Sequence, residues 1–252
     1  TAFYTLSLHD ALPIWNRWIV YISDSRYRMY FFDLDHTILD FERSESEALI
    51  EVFKSRGVTL SSSQVESYRQ INRKWWSMLE KGTVSKERVV VERFEEFCRL
   101  IDINFDANDL NEEYLMGLSN RAYFLPGAEE FLHQFKNAGR RMAIITNGVY
   151  RVQLNKFRIA SLHRFFEFSL SSEEAGYAKP DPRIFAVALE KAGVQKDEAV
   201  YIGDSLESDF SGAQKAGIDF IWINPEAEPG KGPFMIARDF IELKAVLEGL
   251  EA

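Results

Sequence analysis

Tyr30-Phe31-Phe32-Asp33-Leu34-Asp35-His36-Thr37 decides the fold: an apolar run stops at one carboxylate, and a second carboxylate follows two residues later. A short apolar run ending in polar residues reads as a buried strand, here over 28–33. Strand and helix patterns alternate after Pro126-Gly127. A helix at 128–138 stops at Gly139, and a strand follows over 141–146. Next come a helix near 150–157, an aromatic strand at 165–170 and a helix at 182–192 ended by Gly193. A strand at 199–203, a helix at 209–216 ended by Gly217, a strand at 218–223 and a helix near 240–250 complete the series. Alternation of this kind predicts an α/β, Rossmann-like parallel sheet with helices on both faces.

The texture differs between the first strand and residue 123. Four helical patterns, at 43–56, 62–81, 85–100 and 106–121, are separated by Gly57, Gly82 and a turn at 102–106. An all-helical block inserted after the first strand is expected to lie over the carboxyl edge of the sheet, where such sheets bind ligands. The expected organisation is a core of 25–40 and 122–252 and a helical cap of 41–121. Residues 1–24 stand apart. Thr5-Leu6-Ser7-Leu8-His9-Asp10-Ala11-Leu12-Pro13-Ile14 lacks the basic start of a signal peptide. It reads as translated sequencing-adapter sequence, so 1–24 is expected to be a non-native or disordered head, with no role for His9 or Asp10.

At 252 residues the chain suffices for a sizeable core and an insertion. A net charge of −9 argues against a stable nucleic-acid partner or an anionic membrane surface, both of which call for a basic face. A phosphorylated small molecule stays compatible, because a bound cation and one lysine invert the local field. Cys98 is the only cysteine, which excludes an intrachain disulfide and a thiolate metal site; it reads as inert packing. No stretch reaches the ~20 apolar residues of a membrane span. A cytoplasmic location is the expectation, and nothing in the sequence sets an oligomeric state.

Four polar segments interrupt or follow these strands. Asp33, held at a strand terminus, suits a nucleophile that forms an aspartyl phosphate. Asp35 suits the proton transfers, first to the leaving oxygen and then from water. Thr146 ends Met142-Ala143-Ile144-Ile145, so its hydroxyl and the N–H groups of Asn147 and Gly148 suit phosphate oxygens, or simply cap the next helix. Lys179 precedes Pro180, which keeps it out of a helix; it suits a phosphate counter-ion, or is an ordinary surface lysine. In Gly203-Asp204-Ser205-Leu206-Glu207-Ser208-Asp209, Asp204 suits a Mg²⁺ site shared with Asp33 and the backbone carbonyl of Asp35. Asp209 suits orientation of Lys179 or of metal-bound water, or caps a helix.

Together and in this order, Asp33-Leu34-Asp35-His36-Thr37, Thr146-Asn147-Gly148, Lys179-Pro180 and Gly203 to Asp209 resemble the haloacid dehalogenase-like hydrolase superfamily. The resemblance covers about residues 30–252. It implies Asp33 as nucleophile, Asp35 as acid and base, Mg²⁺ on Asp33, Asp35 and Asp204, and phosphate binding at Thr146 and Lys179. The dehalogenases of the family replace the second aspartate, so Asp35 favours a phosphatase. Ile71-Asn72-Arg73-Lys74-Trp75-Trp76, Phe124-Leu125-Pro126-Gly127-Ala128 and Ser172 to Pro180 are similar to the pyrimidine 5′-nucleotidase branch. This implies a nucleoside monophosphate, preferably pyrimidine, as substrate. Sugar phosphates or other small metabolites remain the alternative, and a non-catalytic phosphate-binding module is a third reading.

In the cap, Trp75 and Trp76 are candidates to stack a base, and Asn72 or Arg73 to hydrogen-bond it. Neighbouring residues on a helix point ~100° apart, so at least one tryptophan is expected in the core. Arg88 and Arg93, among Glu87, Glu92, Glu95 and Glu96, read as salt-bridged surface groups. Glu45, Glu47 and Glu51 read as a solvated helix side.

Overall fold

The computed structural model describes residues 26–228 and 232–250. The expected head at 1–24 lies outside them. Strand β1 (Met29–Phe32) is followed by four helices, α1 (Phe41–Ser55), α2 (Ser62–Glu80), α3 (Lys86–Leu100) and α4 (Ala107–Ser119). Then come α5 (Ala128–Asn137), β2 (Met142–Thr146), α6 (Tyr150–Ile159), β3 (Ser169–Ser171) and the short α7 (Ser172–Ala175). The chain continues through α8 (Pro182–Ala192), β4 (Ala199–Gly203), α9 (Ser211–Ala216), β5 (Asp219–Ile223), β6 (Met235–Ala237) and α10 (Phe240–Gly249).

The six strands form one parallel sheet in the order β3-β2-β1-β4-β5-β6. A strand covered by helices on both faces must be apolar at every position. Strand β1 obeys this rule: Tyr30 and Phe32 pack into one apolar cluster with Phe131 and Ile144, while Met29 and Phe31 pack into another with Ile145 and Phe185. Because β1 lies between β2 and β4, the strand order reverses at its carboxyl end. Chains leaving adjacent strands there diverge to opposite faces and open a crevice.

The helices α1–α4 bury a third apolar cluster of their own, including Leu49, Phe53, Tyr68, Phe94, Phe97 and Tyr114. Its aromatic rings meet largely edge-on, as in Phe53–Phe97 and Phe94–Tyr114, with centroids 5.4 Å apart in each pair. Two chain passages join these helices to the sheet, and they are hydrogen-bonded to each other. Asp40 N–H donates to the Tyr123 carbonyl at 2.7 Å, and Leu125 N–H donates to the Ile38 carbonyl at 2.9 Å. Polar side chains strap the two parts together away from this junction. Lys86 Nζ reaches the Gly148 carbonyl and Glu173, at 3.0 and 2.9 Å.

Several elements depart from the sequence expectation. The aromatic strand expected at 165–170 is instead a 3₁₀ turn at Leu162–Arg164 followed by β3 only from Ser169. Phe165 and Phe166 dock on the sheet face, and a short apolar run does not distinguish docking from pairing. The helix expected from 209 begins with a π-helical turn, Leu206–Phe210, ahead of α9. The edge strand β6 was not expected, because three residues beside a Gly- and Pro-containing segment carry too little pattern. No described helix is long and apolar enough to cross a membrane.

Candidate active site

Asp33 is the first residue after β1, and its N–H donates to the Ile202 carbonyl of β4 at 2.9 Å. The sheet ladder therefore holds it. Thr146 closes β2 on one side, and Asp204 follows β4 on the other. Lys179 comes from the loop between α7 and α8, where the Asn147 side chain holds its backbone from both ends. The Lys179 N–H donates to Asn147 Oδ1 at 2.8 Å, and Asn147 Nδ2 donates to the Lys179 carbonyl at 2.9 Å. The structure thus gives the Asn147 side chain a positioning duty beyond the expected phosphate contact.

Lys179 Nζ is buried and uses three donors: to Asp33 Oδ1 at 2.5 Å, Asp209 Oδ1 at 2.7 Å and the Tyr201 hydroxyl at 2.8 Å. An ammonium has three N–H groups, so this one is saturated. Burial pulls its pKa down, but Asp209 and Asp33 outweigh that and hold it above its ordinary value. The carboxylates do less well. Burial pushes Asp33 well above the usual range, with the Lys179 charge offsetting part of it and Asp209 and Asp204 adding to it. Burial and the Asp209 charge push Asp204 up to about 7.

Oxygens of Asp33, Asp204 and Asp209 all lie within 4.8 Å of one another. Three carboxylates sharing one ammonium leave negative charge uncompensated, and all the donors are hard oxygens. This set fits Mg²⁺. Asp204 is oriented for such a role: Thr37 Oγ1 donates to its carboxylate at 3.1 Å, and the Trp222 indole donates to its carbonyl at 2.8 Å.

Asp35 has a different environment. Lys156 Nζ donates to one of its oxygens and Gln153 Nε2 to the other, each at 2.7 Å. Burial raises its pKa, but Lys156 and Gln153 outweigh burial and hold the carboxyl below its ordinary value. Sequence reasoning missed both partners and Tyr201. The signal for the first two was available: Gln153 and Lys156 stand three apart on the helix that follows Thr146-Asn147-Gly148, so they share a face. The Thr146 hydroxyl accepts the Gly148 N–H at 3.1 Å, and no Cβ fits at Gly148, where it would meet Gln153 Nε2 at 1.7 Å.

A cavity of about 200 Å³ lies between this cluster and the helices α1–α4. Asn72 and Trp76 line it, as expected. Trp75 does not: it is buried within the helical cluster, and its indole donates to Glu96 at 2.9 Å. Successive helical residues face different ways, and here Trp75 faces inward. Two further expectations are corrected. Arg93 is 1% exposed, not a surface group, and Glu45 is 3% exposed, not solvated. Arg93 donates to Asn72 Oδ1 at 2.7 Å and to Asn111 Oδ1 at 3.2 Å, while Asn72 Nδ2 donates to Glu45 Oε1 at 2.7 Å. Both line the same cavity.

A family model described as haloacid dehalogenase-like hydrolase matches residues 30–223. The pyrimidine 5′-nucleotidase PynA of Streptococcus pneumoniae is 32% identical over 79% of this chain and 84% of its own length. The pyrimidine 5′-nucleotidase YjjG of Escherichia coli is 29% identical over 86% of this chain and 96% of its own. The crystal structure of the HAD-hydrolase YfnB of Bacillus subtilis, bound to magnesium, superposes with a TM-score of 0.82. At 30% identity it covers 88% of this chain and 99% of that one.

Proposed function

Since the chain belongs to the haloacid dehalogenase-like hydrolase family, we propose that it is a Mg²⁺-dependent phosphomonoesterase for nucleoside 5′-monophosphates, preferably pyrimidine, with residues 41–121 as its cap. One observation carries the reading. Lys179 Nζ joins Asp33 and Asp209 at a point where Asp204 presents a third carboxylate, all at the carboxyl edge of the sheet beneath a cavity. The two relatives named as pyrimidine 5′-nucleotidases support the substrate class.

In the first displacement an Asp33 oxygen attacks phosphorus, the bond to the leaving oxygen breaks, and that oxygen takes a proton from Asp35. In the second, Asp35 takes a proton from water, whose oxygen attacks phosphorus; the bond to Asp33 breaks and inorganic phosphate leaves. Lys156 and Gln153 hold Asp35 as the carboxylate that the second displacement uses. The first needs its protonated form, so the Lys156 contact has to loosen as the leaving oxygen arrives. Lys179 is saturated at rest. Once Asp33 is esterified it loses its charge, and the N–H that it held turns to the phosphoryl oxygens, with the Thr146 hydroxyl beside them. Mg²⁺ on Asp33, Asp204 and the Asp35 carbonyl would supply charge neutralisation for those oxygens.

Phosphate release from a panel of nucleoside monophosphates and sugar phosphates, after chelation and after Mg²⁺ is restored, tests this. Turnover should vanish on chelation and return with Mg²⁺, and kcat/KM should be highest for pyrimidine nucleotides. A higher value for sugar phosphates would move the substrate class, and no turnover of any monoester would end the phosphatase reading.

A further inference from the structure

The cavity wall opposite the carboxylates carries a second built arrangement. Asn72 spends its amide on neighbours, with Nδ2 on Glu45 Oε1 and Oδ1 on Arg93. Its expected role as a direct base contact therefore passes to the residue it holds. Glu45 Oε2 makes no hydrogen bond among the described residues; its nearest cation is Arg69 Nε, at 3.8 Å. That separation is too long for a hydrogen bond. Arg69 Nε is itself buried without a hydrogen-bond partner among the described residues. The Glu45 acceptor thus stands unmet on a cavity-lining residue, whereas Arg69 Nε is sealed from the cavity.

Their chemistry narrows the ligand. Arg69 also faces Glu42 at 3.7 Å and Glu66 at 3.6 Å, so its charge is already matched. A second phosphate or a carboxylate on the leaving group would gain little there. An uncharged N–H donor would satisfy the Glu45 oxygen, since a polar atom left unpaired in a closed site is costly. Trp76 and Phe41, both half-buried, line the same cavity and offer flat apolar surface to a ring.

We propose that Glu45 is a specificity-determining residue: its Oε2 accepts an N–H from the heterocycle of the leaving nucleoside. This rests on the phosphatase reading above and names the edge by which the substrate is selected. A uracil-type imide, with its ring N–H, has such an edge. Asn72 and Arg93 are positioning residues, which hold the carboxylate in place from behind.

The wild-type enzyme is assayed with uridine 5′-monophosphate, its N3-methyl analogue and p-nitrophenyl phosphate. Methylation removes the ring N–H but leaves the sugar hydroxyls, which separates a base contact from a ribose contact. The N3-methyl analogue should lose at least roughly tenfold in kcat/KM, mainly through KM. Glu45→Gln, which keeps an oxygen for Asn72, should bring the ratio between uridine monophosphate and its analogue close to one. It should also cost the nucleotide at least roughly tenfold more than it costs the aryl phosphate. Equal kcat/KM for the two nucleotides in the wild type would overturn the assignment without needing any variant. So would parallel losses on all three substrates in Glu45→Gln, the mark of a merely structural role. If the wild type hydrolyses none of the three, the phosphatase reading fails and this inference goes with it.

Discussion

Two buried charge clusters look at each other across one cavity, and they are held in different ways. At the sheet edge, Lys179 joins Asp33, Asp209 and Tyr201, and Asp33 and Asp204 directly follow paired strands. Across the cavity, Glu45, Asn72, Arg93 and Asn111 come from four separate helices and are tied only through side chains. The first cluster carries excess negative charge on a backbone that does not depend on it. The second is nearly charge-matched and is itself part of what joins the helices. Charge imbalance on a rigid frame serves chemistry, whereas balance among separate helices serves assembly and recognition.

The comparison is most exposed at Asp33. Asp33→Asn keeps an oxygen toward Lys179 but removes the nucleophile, so turnover should fall by roughly 10⁴-fold or more. Its melting temperature should hold or rise, because burial and the neighbouring carboxylates already disfavour the ionised Asp33. A large loss of stability here would erase the distinction between the two clusters. Arg93→Met should do the reverse and cost stability first. It leaves Asn72 and Asn111 without their donor and Glu45 with less compensation, for a loss of about 1–3 kcal/mol in urea unfolding. A loss below about 1 kcal/mol would mean that the helices do not depend on this cluster.

A smaller effect separates the clusters by pH. Burial raises the Glu45 carboxyl from its ordinary 4.5 to about 6, with Arg93 and Asn72 offsetting part of the cost. The folded state therefore holds this proton more tightly than the unfolded chain does. The stability that results is whole below pH 4.5 and is lost as pH rises through about 6. Wild type compared with Glu45→Gln in urea should show this as a difference of about 2 kcal/mol between pH 4.5 and pH 7.5. A flat difference across that range would place Glu45 in water. The mildest change is Gly148→Ala, whose Cβ would displace Gln153 from Asp35. It should lower kcat about tenfold with little change in urea midpoint, and an unaltered kcat would show that Gln153 does not govern Asp35.

Legibility followed the same division. Asp33, Thr146, Lys179 and Asp204 were readable because each is a polar residue at the end of an apolar strand or before a proline and they occur together in order; taken singly, Thr146 and Lys179 kept a bland reading as a helix cap and a surface lysine. Tyr201 was not, since inside a buried strand it reads as one more apolar residue and its hydroxyl meets Lys179 from elsewhere in the chain. Glu45 and Arg93 were misread for a physical reason. Charged residues among opposite charges on a helix look solvated, and only the neighbouring helices decide which side is covered. The same limit applied to Trp75 and Trp76, where at least one was expected to face inward but not which.

By itself, the sequence determined the parallel α/β core, the helical insertion after the first strand and the set of groups gathered at the carboxyl edge. Strand periodicity and strand termini are local, so the residues that obey them announce themselves. The tertiary structure alone decided that Lys156 and Gln153 grip Asp35, that Lys179 is saturated, and that Glu45 faces the cavity from a buried network. Those outcomes depend on how helices pack against a sheet and against each other, and a side chain's partner across such a contact leaves no periodic trace in the chain.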